Sequence, residues 1–105
     1  MNPQEAYLQA ILATVARQTF PLEKMLEIMG SKAGEKQMRA FNMCDGTNSQ
    51  SEIIKELGLD SSNFSKTLAR WVDAGICIRV GDARDARPLH VYPLPESHIK
   101  KAPKQ

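Results

Sequence analysis

The hydrophobic pattern of the sequence changes its period once, at Gly75, and this change limits the folds open to the chain. Before Gly75, apolar residues recur every three or four positions, which is typical of amphipathic helices. After it, Ile76, Ile78 and Val80 alternate with other residues, which is typical of a strand. The sequence therefore predicts a mainly α protein with a small β element in its last third.

Two amphipathic helices are predicted within residues 1–30. The first opens at Pro3, and a Phe20-Pro21 step separates it from the second, because the residue before a proline avoids the helical region. The second ends at Gly30. The apolar positions of both follow the spacing i, i+3, i+4, i+7, and they are Leu8, Ile11, Leu12, Val15, Leu22, Met25, Leu26 and Met29. Both apolar faces need a cover, which the rest of the chain or a second copy could provide.

Two short helices are predicted next. One runs from about Gly34 to Cys44 and is followed by an Asp-Gly step, which is a strong stop signal. The other covers residues 50–57, and it begins with a capping box because Glu52 follows Ser49 by three residues.

The stretch LGLDSSNFSKTLARWVDAGI, residues 57–76, predicts the last long helix. Its apolar positions are Phe64, Leu68, Trp71 and Val72. Its first turns are crowded with short polar side chains, namely Asp60, Ser61, Ser62, Asn63 and Ser65. One capping residue suffices for a helix, so the others need a further explanation. Small hydroxyl and amide groups at a helix N-terminus allow an anion to approach closely, and the helix dipole favours its charge. The alternative is a capped surface helix whose polar face only meets water.

A hairpin and a tail complete the chain. GDARDARP is a polar, charged turn, and Leu89 and Val91 then return as a second strand. Residues 95–105 carry proline and lysine, and they are predicted to form a flexible basic tail.

Basic residues are concentrated after residue 60. The whole chain has a formal net charge of +2. Residues 1–60 hold six Lys and Arg against eight Asp and Glu, whereas residues 61–105 hold eight against four. The basic excess begins with the polar-headed helix, and it indicates an anionic partner for the C-terminal half.

Several classes of protein are disfavoured by composition. The 105 residues fit one domain, and no apolar run approaches the roughly 20 residues that span a membrane. The N-terminus does not resemble a signal peptide, so a cytoplasmic location is expected. Cys44 and Cys77 form no CxxC pair, and His90 and His98 do not complete a metal-ligand spacing. No catalytic motif is present. We therefore expect no enzyme activity, no metal and no cofactor, and two reduced, partly buried thiols.

The order of elements between residues 34 and 94 resembles a winged helix-turn-helix. Three segments resemble the MarR group of transcriptional regulators in particular: SQSEIIKELGLDSSNFSKTLARWVDAGI, DAGICIRV and GDARDARPLHVYPL. The fold expected from this resemblance is mainly α with a small β-hairpin wing, preceded by two N-terminal helices. The family's dimer helices after the wing have no counterpart in residues 95–105, so residues 1–30 are the expected dimerisation segment.

The resemblance implies a transcriptional regulator, expected to be a repressor, that binds double-stranded DNA as a homodimer. Residues 61–74 would lie in the major groove as the recognition helix, and the wing would reach an adjacent minor groove. The residues expected to contact DNA are Ser49, Gln50, Ser61, Ser62, Asn63, Ser65, Lys66, Arg70, Arg84 and Arg87. Ala86 stands where the family often carries an arginine.

Other interpretations stay open at this point. A winged helix also serves as a protein-interaction adaptor, in which the polar helix head faces a protein rather than DNA. A small-molecule effector could bind among Met25, Met29, Met38 and Met43, and a thiol at Cys44 could sense oxidants. His90 is expected to be a surface residue of the return strand, and Trp71 is expected to belong to the core.

Overall fold

The structure is a computed structural model that describes residues 2–30, 33–81 and 86–103. Within these ranges it is mainly helical, with one small two-stranded antiparallel hairpin. The helices are α1 (Pro3–Thr19), α2 (Leu22–Met29), α3 (Glu35–Met43), α4 (Gln50–Leu57), α5 (Ser61–Ala74) and α6 (Glu96–Lys100). The strands are β1 (Cys77–Val80) and β2 (Arg87–His90). Among the described residues, no helix combines the length and the apolar character that crossing a bilayer requires.

The two N-terminal helices differ in how well the protomer covers them. α2 buries Met25 and Met29 in the core, as its spacing predicts. α1 is capped by Asn2, whose Oδ1 accepts the Glu5 N–H at 2.8 Å, but Ala16 is its one buried residue. α1 therefore rests on the core through Leu12, Ala13 and Ala16, while Tyr7, Leu8, Ile11 and Val15 on its outer side are exposed.

An aromatic cluster holds α5 against α3. Trp71 is fully buried and meets both Phe41 and Phe64 edge to face, with ring centroids 5.2 Å and 6.1 Å apart. Such pairs add about 0.5–1.5 kcal/mol to the free energy gained by burial. The prediction that Trp71 belongs to the core is confirmed.

The hairpin is anchored to the end of α3. Cys77 pairs with His90 and Val80 pairs with Arg87 across β1 and β2. On the other side of β2, the His90 N–H donates to the Cys44 carbonyl at 2.6 Å, and Asp45 forms a β-bridge with Leu89. The position of the hairpin relative to the helices is therefore fixed by hydrogen bonds on both sides of β2.

The region expected to be a flexible tail is partly helical. α6 covers Glu96–Lys100 and buries Ile99, and the Glu35 N–H donates to the Pro103 carbonyl at 2.8 Å. Arg39 pairs with Glu96 at 3.0 Å. A single apolar residue in a five-residue helix produces no sequence period, so the pattern alone gave no sign of this element. α6 closes the core beside α3.

The two cysteines are fully buried and lie against each other. The Cys44 Sγ donates to the Ala40 carbonyl at 3.2 Å. The neighbouring Cys77 sulfur, followed by burial, raises the pKa of the Cys44 thiol. Cys44 therefore stays protonated, which argues against a reactive thiolate at this position.

His90 departs from its predicted surface position. Its ring stacks on Phe41 with centroids 5.5 Å apart, and its Nδ1 is buried without a hydrogen-bond partner among the described residues. Burial lowers the pKa of His90 below its usual 6.5, although the nearby Asp45 carboxylate acts in the opposite direction. The folded protein therefore favours the neutral imidazole.

We expect the free energy of unfolding to depend on His90 below pH 6.5. As the pH falls through 6.5, the unfolded chain binds a proton that the folded chain resists, so stability is lost. The loss stops growing below the lowered pKa of the folded state. Chemical denaturation of the wild type and of His90→Phe, at several pH values from 7.5 to 4.5, measures this loss as the difference between the two curves. If the free energies of unfolding of the two proteins change equally with pH, His90 has the same pKa in the folded and the unfolded chain.

Candidate nucleic-acid interface

The N-termini of α4 and α5 are both firmly capped. In α4, Ser49 Oγ accepts the Glu52 N–H at 3.2 Å and the Glu52 carboxylate accepts the Ser49 N–H at 2.8 Å, which is the predicted capping box. In α5, the cap is Asp60, whose Oδ2 accepts the Asn63 N–H at 2.8 Å. Asp60 alone meets the capping need of α5, so the remaining polar side chains are free for another role.

We call residues 61–66 the α5 head. Its polar side chains are all exposed, and they are Ser61, Ser62, Asn63, Ser65 and Lys66. The core-facing side of α5 carries Phe64, Leu68 and Trp71, whose burial holds the α5 head in position. With 3.6 residues per turn, Ser62, Lys66 and Ala69 lie on the side opposite these core residues. This outermost line is the part of α5 that a large partner would meet first.

The α5 head and the start of α4 are joined by one hydrogen bond. The Gln50 Nε2 donates to the Ser65 Oγ at 2.6 Å. Because the Ser65 oxygen accepts this bond, its own hydroxyl hydrogen remains available to a partner. Gln50 and Ser65, both predicted to be site residues, therefore lie together.

An open groove of about 710 Å³ lies between the hairpin, the α5 head and the start of α4. Ser49, Gln50 and Ser61 line it from the helices, and Arg79 of β1 lines it from the hairpin. Arg79 was not among the predicted site residues. Its position follows from the pleat of β1, because residues two apart in a strand share a face, and Cys77 faces the core. The sequence signal for Arg79 is its spacing of two residues from Cys77, which places its charged side chain on the inward face of β1.

Asn63 lies on the other flank of α5. It borders a shallow groove with Lys36 and Gln37 of α3. Asn63 is exposed, but it is separated from the hairpin groove by the width of the helix. The structure therefore divides the predicted polar residues between the two flanks of α5.

Two predicted arginines are engaged within the protomer. The Arg70 guanidinium donates to the Met29 carbonyl at 3.3 Å, which directs it toward the end of α2. Arg87 donates to the Thr47 carbonyl and pairs with Glu52 at 3.4 Å. Arg87 thus fastens β2 to the start of α4. Arg84, the remaining predicted arginine, falls outside the described residues.

Among the described residues, the His, Cys, Asp and Glu side chains form no group of three or more that could hold a metal ion. The pKa of Glu52 is lowered by hydrogen bonds from Ser49, which reflects capping. What the α5 head and the hairpin groove present is hydroxyls, amides and the cations Lys66 and Arg79, while the carboxylates of Asp60 and Asp73 are exposed at the two ends of α5.

Comparisons with known proteins found nothing similar to this chain. No protein-family model matches it, and searches of the curated proteins and of the solved structures found no match. The geometry described above is therefore the basis on which a function is argued.

Proposed function

We propose that this protein is a winged helix-turn-helix transcriptional regulator that binds double-stranded DNA. The observation that carries the proposal is the position of the exposed α5 head beside the β-hairpin, with one open groove between them. In this arrangement α5 is the recognition helix and the hairpin is the wing. The order of α3, α4, α5 and the hairpin is compatible with that layout. The resemblance to MarR regulators and the action as a repressor remain parts of the proposal.

The roles of the α5 side chains follow from their positions. A major groove about 12 Å wide admits one helix, whose outermost residues then meet the bases and the phosphates. Ser62 and Ser65 are placed to reach base edges or phosphates, and Lys66 is placed to reach a phosphate or a guanine. Asn63 lies on the flank of α5 that faces α3, away from the hairpin groove. Its amide would therefore pair with an adenine at the periphery of the protein–DNA contact. Phosphate contacts fix the register, and base contacts supply specificity.

A second copy of the chain is part of the proposal. The outer side of α1 carries Tyr7, Leu8, Ile11 and Val15, each more than half exposed. No charged residue occurs between Glu5 and Arg17, so this face is also uncharged. A helix of 17 residues with one buried side chain has little packing to stabilise it in water.

An uncharged apolar face can cover an identical face on a second copy of the chain. It offers no charge with which a charged partner protein could pair, so a symmetric dimer is favoured. α1 is about 25 Å long, and two copies crossing through Ile11 would cover each other's exposed apolar side chains. A symmetric dimer of this kind would bind two half-sites about 34–36 Å apart, one helical turn of DNA.

The direct test is an electrophoretic mobility shift with sheared genomic DNA between about 50 and 200 mM salt. Binding through phosphates predicts retardation that weakens steeply as salt rises. Lys66→Ala should bind less tightly and lower the salt slope by about one. Lys24→Ala is the matched control, because it removes one exposed positive charge from α2, away from the α5 head.

The outcomes separate DNA binding from the adaptor alternative. No retardation of the wild type at the lowest salt would overturn the proposal and would favour a protein partner for the α5 head. If both variants retard DNA and their affinities depend equally on salt, the protein binds DNA, but Lys66 and the α5 head are not the surface that contacts it.

A further inference from the structure

We propose that Arg79 is the phosphate-binding residue of the wing, and that it clamps one DNA strand in the groove between the hairpin and the α5 head. This inference rests on the proposed function and adds to it a residue and a path for the backbone. Of the two wing cations expected from the sequence, Arg84 and Arg87, it takes over the role of Arg87, while Arg84 lies outside the described residues.

The first support is the charge of the groove. Among the described residues that line it, Arg79 is the one ionisable side chain and none has a carboxylate. The other polar groups there are the hydroxyls of Ser49, Ser51 and Ser61 and the amide of Gln50. Hydroxyls, an amide and a guanidinium are all donors to phosphate oxygens, and Arg binds phosphate through two parallel N–H bonds.

The second support is the direction of the Arg79 side chain. Arg79 lies on the same face of β1 as the buried Cys77, but one pleat further from the core. The neighbouring Ile78 and Val80 are on the opposite face and are exposed. The guanidinium is therefore carried on the inner side of the hairpin.

The third support is the space around Arg79. The other described hairpin residues that line the groove are Gly81, Ala86 and Pro88, which are small or compact. Their side chains leave the groove open beside Arg79. Arg87 supplies no charge to this groove, because Thr47 and Glu52 already hold its guanidinium. Arg87 is a positioning residue that sets the distance of the hairpin from α4.

The experiment measures the binding of Arg79→Ala, Arg79→Lys and Lys24→Ala to two probes. One probe is a duplex selected from a random-sequence library with the wild-type protein, and the other is sheared genomic DNA. A phosphate contact carries no sequence information. Arg79→Ala should therefore weaken binding to both probes by about the same factor, roughly 10-fold, with the salt slope lowered by about one. Arg79→Lys should recover part of the loss, and Lys24→Ala should bind like the wild type.

Three outcomes decide between the possibilities. If Arg79→Ala binds both probes like Lys24→Ala, with an unchanged melting temperature, this inference is wrong and the proposed function stands. If Arg79→Ala loses affinity for the selected duplex alone, Arg79 reads bases and the phosphate assignment is wrong. If the selection enriches no duplex and the wild type does not bind genomic DNA, the proposed function fails and the inference fails with it.

Discussion

Replacing Trp71 by alanine is expected to lower the free energy of unfolding by about 3–5 kcal/mol, the usual cost of removing a large buried aromatic side chain. Trp71 has no exposed surface, and it meets Phe41 of α3 and Phe64 of α5 edge to face. Its loss leaves a cavity between the two helices and removes both aromatic contacts. Domains of this size are stabilised by only about 5–15 kcal/mol, so the variant should be largely unfolded at moderate denaturant concentrations.

Urea denaturation followed by circular dichroism measures this loss. Trp71→Phe is the matched control. It retains an aromatic ring between the two phenylalanines, and it removes the indole N–H, which has no hydrogen-bond partner among the described residues. We expect it to cost less than about half of the alanine change, since a ring of similar shape fills most of the cavity. Equal losses for the two variants would show that the indole itself, rather than aromatic packing, holds α5 in place.

The helical part of the fold was predictable because its signals are local. The spacing of apolar residues and the stop at Gly75 gave α5 to within a residue, and the Ser49–Glu52 pair gave the start of α4. Gly75 ends α5 with φ +87°, a conformation that glycine adopts without strain. These features depend on residues within one or two turns of each other, so one sequence suffices to find them.

The features that the sequence did not reveal depend on contacts between distant segments. Arg70 and Arg87 looked available for DNA, but the carbonyls that engage them belong to residues about forty positions away, at Met29 and Thr47. The sequence predicts His90 on the surface, but its ring stacks on Phe41, which lies about fifty positions earlier. The sequence does not single out Arg79, because a charged residue in a strand pattern is usually solvated. Which way it faces depends on the register of the hairpin.

Replacing Ile11 by glutamate is expected to convert the proposed dimer into a monomer. Ile11 is the centre of the apolar face of α1, where two copies would meet across a two-fold axis. The substitution therefore places two like charges opposite each other in an apolar contact. Size-exclusion chromatography with light scattering should give twice the chain mass of 11.7 kDa for the wild type and a single mass for the variant. Affinity for a two-site duplex should fall by about 100-fold or more, because the two contacts no longer act together.

The control for this change is Ala6→Glu, which adds the same charge to an exposed position on the opposite side of α1. It should remain a dimer and should bind DNA like the wild type. Circular dichroism of Ile11→Glu should show nearly unchanged helix content in the core, since α1 joins the core through Ala16 rather than through Ile11. If Ile11→Glu keeps the dimer mass, the two copies meet elsewhere than on this face of α1. If the wild type has the single mass at micromolar concentration, then α1 is not the contact between protomers, and DNA recognition rests on one α5 head at a time.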